Sequence, residues 1–127
     1  MATTKQKIKH KGLRVNRNQQ TQIRCMQINL QHSRTATDNL MKLIQQDLTD
    51  IAFVQEPYII QNKLAGITRS HRTYITNEDR SRATIIIANE DIDAIIIKQL
   101  CDRDTIVAEV RYKSMRFLAA SMYFDIT

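Results

Sequence analysis

The chain has 127 residues, 43% of them apolar, which suffices for the core of one ordinary domain and excludes an intrinsically disordered composition. Its net charge of +6 is unevenly placed: Lys5, Lys7, Lys9, Lys11, Arg14 and Arg17 fall in residues 1–20, which hold no acid, and taking those six from the 19 basic residues leaves 13 against 13 acidic residues. The body is therefore neutral, and Cys25 and Cys101 form no Cys-x-x-Cys pair, which argues against a zinc site and a disulfide framework.

Residues 1–20 are polar and lack hydrophobic periodicity, so they read as a disordered basic tail. Such a tail serves as an arm on phosphates, as a nuclear address, or only as a solvated leader. It lacks the apolar core of a secretory signal. No later stretch approaches the roughly 18 apolar residues of a membrane span. Two glycines and one proline leave the turns to Asn, Asp, Ser and Lys.

Ile23 to Leu30 alternates as a strand, with Cys25, Gln27 and Asn29 on one face and Met26, Ile28 and Leu30 on the other. Gln31–Arg34 is a loop. A helix capped by Thr35 or Thr37 follows, with Ala36, Leu40, Leu43, Ile44 and Leu48 as its apolar stripe. Ile51–Val54 is an apolar run suited to a strand buried on both faces, and Pro57 ends it. Strand, helix and strand make a βαβ unit, so the two strands are parallel.

Residues 58–71 read as loop. Arg72–Thr76, Ala83–Ala88, Ala94–Lys98, Thr105–Arg111 and Met115–Phe124 are strand candidates with short polar connectors, which predicts antiparallel hairpins. The last is apolar on both faces and is expected inside the sheet, covered on both sides. The fold class is α/β (α+β): a mixed, largely antiparallel sheet with an N-terminal βαβ unit. One helix covers only part of one face, so an apolar face without a partner in this chain is expected.

Parallel strands joined by a crossover end at the same sheet edge, where open α/β sheets place their ligands. Asn29 and Glu56 fall there, roughly 5–10 Å apart if the strands are neighbours. A carboxylate beside an amide can hold a hard cation through oxygen. Equally, Glu56 can end a strand and Asn29 start a turn.

Five blocks extend this reading. Ile23–Leu30 with its terminal Asn29 resembles the first core strand of the endonuclease/exonuclease/phosphatase superfamily, and Gln55-Glu56-Pro57-Tyr58 resembles its second motif. Asn29–Arg34 with Ala36 and Thr37 is similar to the apurinic-endonuclease-like domain of non-LTR retrotransposons. Arg82-Ala83-Thr84-Ile85 is similar to that branch's next strand, and Ser121-Met122-Tyr123-Phe124-Asp125 to the strand whose Tyr faces the substrate phosphate. The blocks keep the family's order across 22–126. Gln31 stands where apurinic relatives carry an acid, a departure that narrows the branch.

The resemblance implies one half of a four-layer α/β sandwich, with 21–127 as the N-terminal half of the domain. In that arrangement the other half covers the unpartnered apolar face, so this chain alone is expected to be poorly soluble or self-associating. It implies Glu56 as ligand of Mg²⁺ (or Mn²⁺), Asn29 as organiser of the metal network, Tyr123 on the scissile phosphate and Arg34 on the DNA backbone. It also implies DNA as partner, a reverse transcriptase domain in the intact protein, a nuclear location and nicking that primes reverse transcription. The family's Gly-Asp-x-Asn and Ser-Asp-His motifs, which serve water alignment and activation, do not occur in the chain. By the same resemblance the chain is expected to be inactive alone. A truncated or degenerate remnant with at most an interaction role is the alternative, and a phosphatase or lipid phosphodiesterase of the same superfamily is a third reading. His32 and His71 have no partners at metal-ligand spacing and are expected to be structural or solvent-facing.

Overall fold

The computed structural model describes residues 3–8, 22–76 and 80–124. Its strands are β1 (Thr3–Ile8), β2 (Ile23–Asn29), β3 (Ile51–Gln55), β4 (Ile59–Ile60), β5 (Lys63–Leu64), β6 (Arg72–Tyr74), β7 (Ala83–Ile87), β8 (Asp93–Ile96), β9 (Thr105–Tyr112) and β10 (Met115–Met122), with one α-helix, α1 (Arg34–Asp47). Two sheets carry the architecture, one of five strands in the order β1-β2-β3-β7-β6 and one of three in the order β10-β9-β8.

The βαβ unit forms as the periodicity requires. β2 and β3 pair in parallel, Cys25 against Ile51 through Asn29 against Gln55, and β7 then adds antiparallel to β3. Strand alternation sorts the side chains into two cores. On one face Met26, Ile28, Ala52, Val54 and Ile86 meet Ala36, Leu40 and Ile44 of α1. On the other, Ile23, Cys25, Ile51, Ile85 and Ile87 meet Ile106, Ala108, Val110, Met115 and Ala119 of the second sheet. β7 is buried at all five positions, as a strand sandwiched between two layers must be. Each fully buried Ile contributes about 2 kcal/mol.

Several expectations change. The uncovered face of the first sheet is covered, because the chain builds a second sheet of its own rather than one continuous sheet. β7 and β8 therefore do not form a hairpin: the chain crosses between sheets, and β8 pairs with β9 instead. β10 is an edge strand rather than an interior one. Its inner row packs on the core, but Leu118 is 60% and Met122 41% exposed; apolarity on both faces did not signal burial on both.

α1 is capped by Ser33, not by Thr35 or Thr37: Ser33 Oγ accepts the Ala36 N–H at 3.1 Å. Leu48 is not part of the buried stripe but the left-handed C-cap, 68% exposed. The 58–71 segment contains the β4–β5 hairpin. Thr3–Ile8, within the stretch expected to be disordered, pairs antiparallel with β2. The rest of that stretch, residues 77–79 of the expected polar connector, and Asp125 lie outside the described residues.

Scarce glycine has a structural counterpart. Among the described residues, eight other than glycine take positive φ, including Gln31, His32, Leu48, Glu56 and Asn62. Each costs on the order of 1–2 kcal/mol for an L-residue, and three of them flank the edge where Asn29 and Glu56 meet.

Candidate functional site

Asn29 and Gln55 are register partners at the ends of β2 and β3, so Asn29 and Glu56 stand on adjacent strands at one edge. The backbone that leaves this edge is tied down at each step. Leu30 N–H donates to Gln55 O at 2.9 Å and His32 N–H to Glu56 O at 2.9 Å. The Asn29 side-chain oxygen accepts the Gln31 N–H at 2.8 Å, which stabilises the left-handed turn at Gln31 and His32. His32 Nδ1 lies 3.1 Å from Pro57 O; the carbonyl can only accept, so His32 donates and has a structural role there.

Glu56 itself has φ 50°. Its N–H donates to Arg82 O at 2.9 Å while its carbonyl accepts from His32. Two backbone hydrogen bonds thus hold a left-handed glutamate half-buried at the strand end, and strain persists only where its surroundings fix it. No hydrogen bond to its carboxylate is formed by a described residue.

The second sheet supplies the other wall. Ser121, 1% exposed, donates to Val54 O at 3.0 Å and accepts from Gln55 Nε2 at 3.1 Å. Gln27 Nε2 reaches Gln55 Oε1 at 3.5 Å. This polar bridge fixes the end of β10 against the end of β3. Two residues beyond Ser121, Tyr123 N–H donates to Asp104 O at 2.8 Å. Arg82 Nε and Nη2 donate to the two Asp104 carboxylate oxygens at 2.6 and 2.8 Å, and the Arg82 guanidinium lies over the Tyr123 ring, 4.4 Å from its centroid. The hydrogen bond from Arg82 holds the Asp104 carboxyl below the usual aspartate range; burial opposes this, and the charges of Arg82 and Arg103 add smaller lowering contributions.

Asn29, Glu56 and Tyr123 are thus gathered at one edge of the sandwich. Arg34 is exposed at the first position of α1, beside the loop that leaves β2. Reasoning from the sequence missed Gln55, Ser121 and Asp104 as parts of the site and gave Arg82 no role. Gln55, Arg82 and Ser121 lay inside matched blocks, but Asp104 carried no local signal.

Among the described residues no group of three or more His, Cys, Asp or Glu could hold a metal. The donor set at this edge is one carboxylate, Glu56, with the Asn29 amide nearby. That fits a Mg²⁺-like ion, which keeps most of its waters and binds through one or two carboxylates plus substrate phosphate, and does not fit a closed protein cage.

A cavity of about 1130 Å³ lies at the opposite edge, among Arg24, Asp50, His71, Asn89 and Tyr112. It stands at the amino end of the parallel strands, where such sheets do not place their ligands. Asp50 there is structural: it accepts from Arg24 N at 2.7 Å and Asn89 Nδ2 at 3.0 Å. His71 Nδ1 is buried without a hydrogen-bond partner, and burial lowers the His71 pKa.

Compared with known protein families and with curated protein sequences, the chain has no match. Among solved structures it is similar to the endonuclease domain of TRAS1, a telomere-specific non-LTR retrotransposon, with a TM-score of 0.70 and 26% identity over 81% of this chain and 45% of that one. The chain spans less than half the length of that structure. The likeness supports an endonuclease-domain fold. No described helix is long and apolar enough to cross a membrane.

Proposed function

We propose that this chain is the N-terminal half of a metal-dependent DNA endonuclease domain of the endonuclease/exonuclease/phosphatase superfamily. In the intact protein it nicks target DNA and frees a 3′-hydroxyl for reverse transcription in the nucleus. The supporting observation is that Asn29, Glu56 and Tyr123, from three separate parts of the chain, meet at one edge of a fold similar to a retrotransposon endonuclease domain.

Glu56 holds Mg²⁺ (or Mn²⁺) through its carboxylate. The ion, when bound, acts as Lewis acid on a phosphate oxygen. Asn29 orders the loop that carries Gln31 and His32 and would help organise the site when the metal is bound. Tyr123 contacts the scissile phosphate, and Arg34 contacts the backbone of the duplex. Residues that align and deprotonate the attacking water come from outside this chain.

The test is a supercoiled-plasmid nicking assay on a polypeptide extended past Thr127 through the Gly-Asp-x-Asn and Ser-Asp-His motifs. Nicking is expected to require Mg²⁺ and to fall about 100-fold or more in Glu56→Ala. Nicking that survives Glu56→Ala contradicts the metal role. An extended polypeptide that binds duplex but never nicks it decides instead for a remnant with at most an interaction role.

A further inference from the structure

We infer that Arg82, clamped by Asp104, is the positioning residue that couples Glu56 to Tyr123. The inference rests on the nuclease reading for the work it assigns to Tyr123, but its geometry stands independently.

Three groups of Arg82 act in three directions. Its carbonyl accepts the Glu56 N–H at 2.9 Å and so helps hold the left-handed backbone that presents the Glu56 carboxylate. Its own N–H donates to Arg103 O at 2.7 Å, which ties this point of the first sheet to the turn before β9. Its guanidinium lies over the Tyr123 ring. One residue thus touches the backbone of the proposed metal ligand and the ring of the proposed phosphate-contacting tyrosine.

Asp104 makes this arrangement specific. Its two carboxylate oxygens take Arg82 Nε and Nη2 side by side, a fork that only a planar guanidinium can offer. With that fork engaged, the guanidinium carbon lies over the Tyr123 ring, and a cation over an aromatic face is attractive. Asp104 also accepts the Tyr123 N–H through its carbonyl at 2.8 Å. Tyr123 is therefore held twice from one residue, through its main chain directly and through its ring by way of Arg82. Tyr123 lies just past the end of β10. Arg103 Nε adds a longer contact to Asp104 at 3.5 Å, and Arg103 is half-exposed, so it contributes charge more than geometry.

The experiment replaces the four tyrosines of the full chain with 3-fluorotyrosine and follows ¹⁹F resonances, with Tyr123→Phe to assign Tyr123. Arg82→Lys keeps the charge and removes the fork; Asp104→Asn keeps the shape and removes the carboxylate charge. Each variant is expected to shift and broaden the Tyr123 resonance and to leave Tyr58, Tyr74 and Tyr112 in place, which also reports that the fold is intact. On titration with a short DNA duplex, each is expected to weaken binding about fivefold relative to the unaltered chain. A Tyr123 resonance identical to the unaltered chain in the folded variants overturns the proposal, and either variant suffices if the other does not fold. If Tyr123 shifts in the variants but no tyrosine of the unaltered chain responds to duplex, the clamp stands and the nuclease reading is what fails.

Discussion

Gln55 Nε2 donates to Ser121 Oγ at 3.1 Å, and this bond joins two sheets through side chains that are 7% and 1% exposed. Ser121 Oγ in turn donates its own O–H to Val54 O at 3.0 Å, so one hydroxyl serves a buried amide and a buried carbonyl together. The pair lies directly beneath Glu56 and Tyr123, each one or two residues further along its strand. Ser121→Ala removes the acceptor of the buried Gln55 amide, while Val54 keeps its place in the ladder with Thr84, and the loss costs about 1–3 kcal/mol. Urea denaturation should show that loss as a lower midpoint at unchanged slope. Ser121→Cys, with a longer and weaker donor, should fall between the two. A Ser121→Ala chain as stable as the parent would mean that water satisfies the bridge.

Leu48 carries a separate cost. It ends α1 with φ 52° and 68% of its surface exposed, and its N–H closes the helix onto Ile44 O. An L-residue pays on the order of 1–2 kcal/mol in this conformation, whereas glycine pays only its larger unfolded-state entropy, roughly 0.5–1 kcal/mol. Leu48→Gly is therefore expected to raise stability by about 0.5–1 kcal/mol, since little buried surface is lost. Thermal denaturation at constant protein concentration checks this. A lower melting temperature would show that the exposed Leu48 packs more than its exposure suggests.

How much of this was legible beforehand follows from which interactions are local. Period-two and period-3.6 patterns along 23–55 specified the βαβ unit, and parallel pairing then brought Asn29 and Glu56 together without further information. The second sheet was not legible, because Leu118 and Met122 look buried by composition and are not. Nothing in a linear pattern tells an apolar residue facing solvent from one facing a core. The Arg82–Asp104 pair, 22 residues apart, is likewise invisible to periodicity, since it depends on β7 and β9 lying in different sheets. Ser33 prevailed as cap because the chain turns through two left-handed residues first, which starts the helix earlier than either threonine allows.

The two thiols should differ sharply in reactivity. Cys25 faces the inter-sheet core, and burial, reinforced by the charge of Asp50, pushes its thiol up to about 11. The thiolate is the reactive form, so at pH 8 roughly one Cys25 in a thousand is ionised, and the site is closed to reagents as well. Cys101 is half-buried at the surface, beside a 3₁₀ turn at Lys98–Leu100. Treatment of the native chain with iodoacetamide at pH 8, read by mass spectrometry, is expected to modify Cys101 and spare Cys25 until denaturant is added. Equal labelling of both in the native chain would contradict the inter-sheet packing of β2.

The uncovered sheet face expected to drive self-association is packed against the second sheet, but another surface offers a cause to test. β3 and β7 of the first sheet are packed on both faces, and a row of exposed apolar side chains lies on the outer face of the second sheet. There Ile95 and Leu118 are 63% and 60% exposed, and both stand opposite Glu109 in the β8-β9-β10 register. Met122 extends the row at 41% exposure. Arg111 and Arg116 both pair with Glu109, at 3.0 and 2.6 Å, so these three groups leave a single net positive charge at the centre of this face and only modest repulsion between copies. Ile95→Lys with Leu118→Lys places two charges on that face without touching either core. Sedimentation velocity over a concentration series should show association in the parent chain and monomer in the double variant. A parent chain that stays monomeric at high concentration would instead mean that an apolar row interrupted by Glu109 and its arginines is too narrow to drive association.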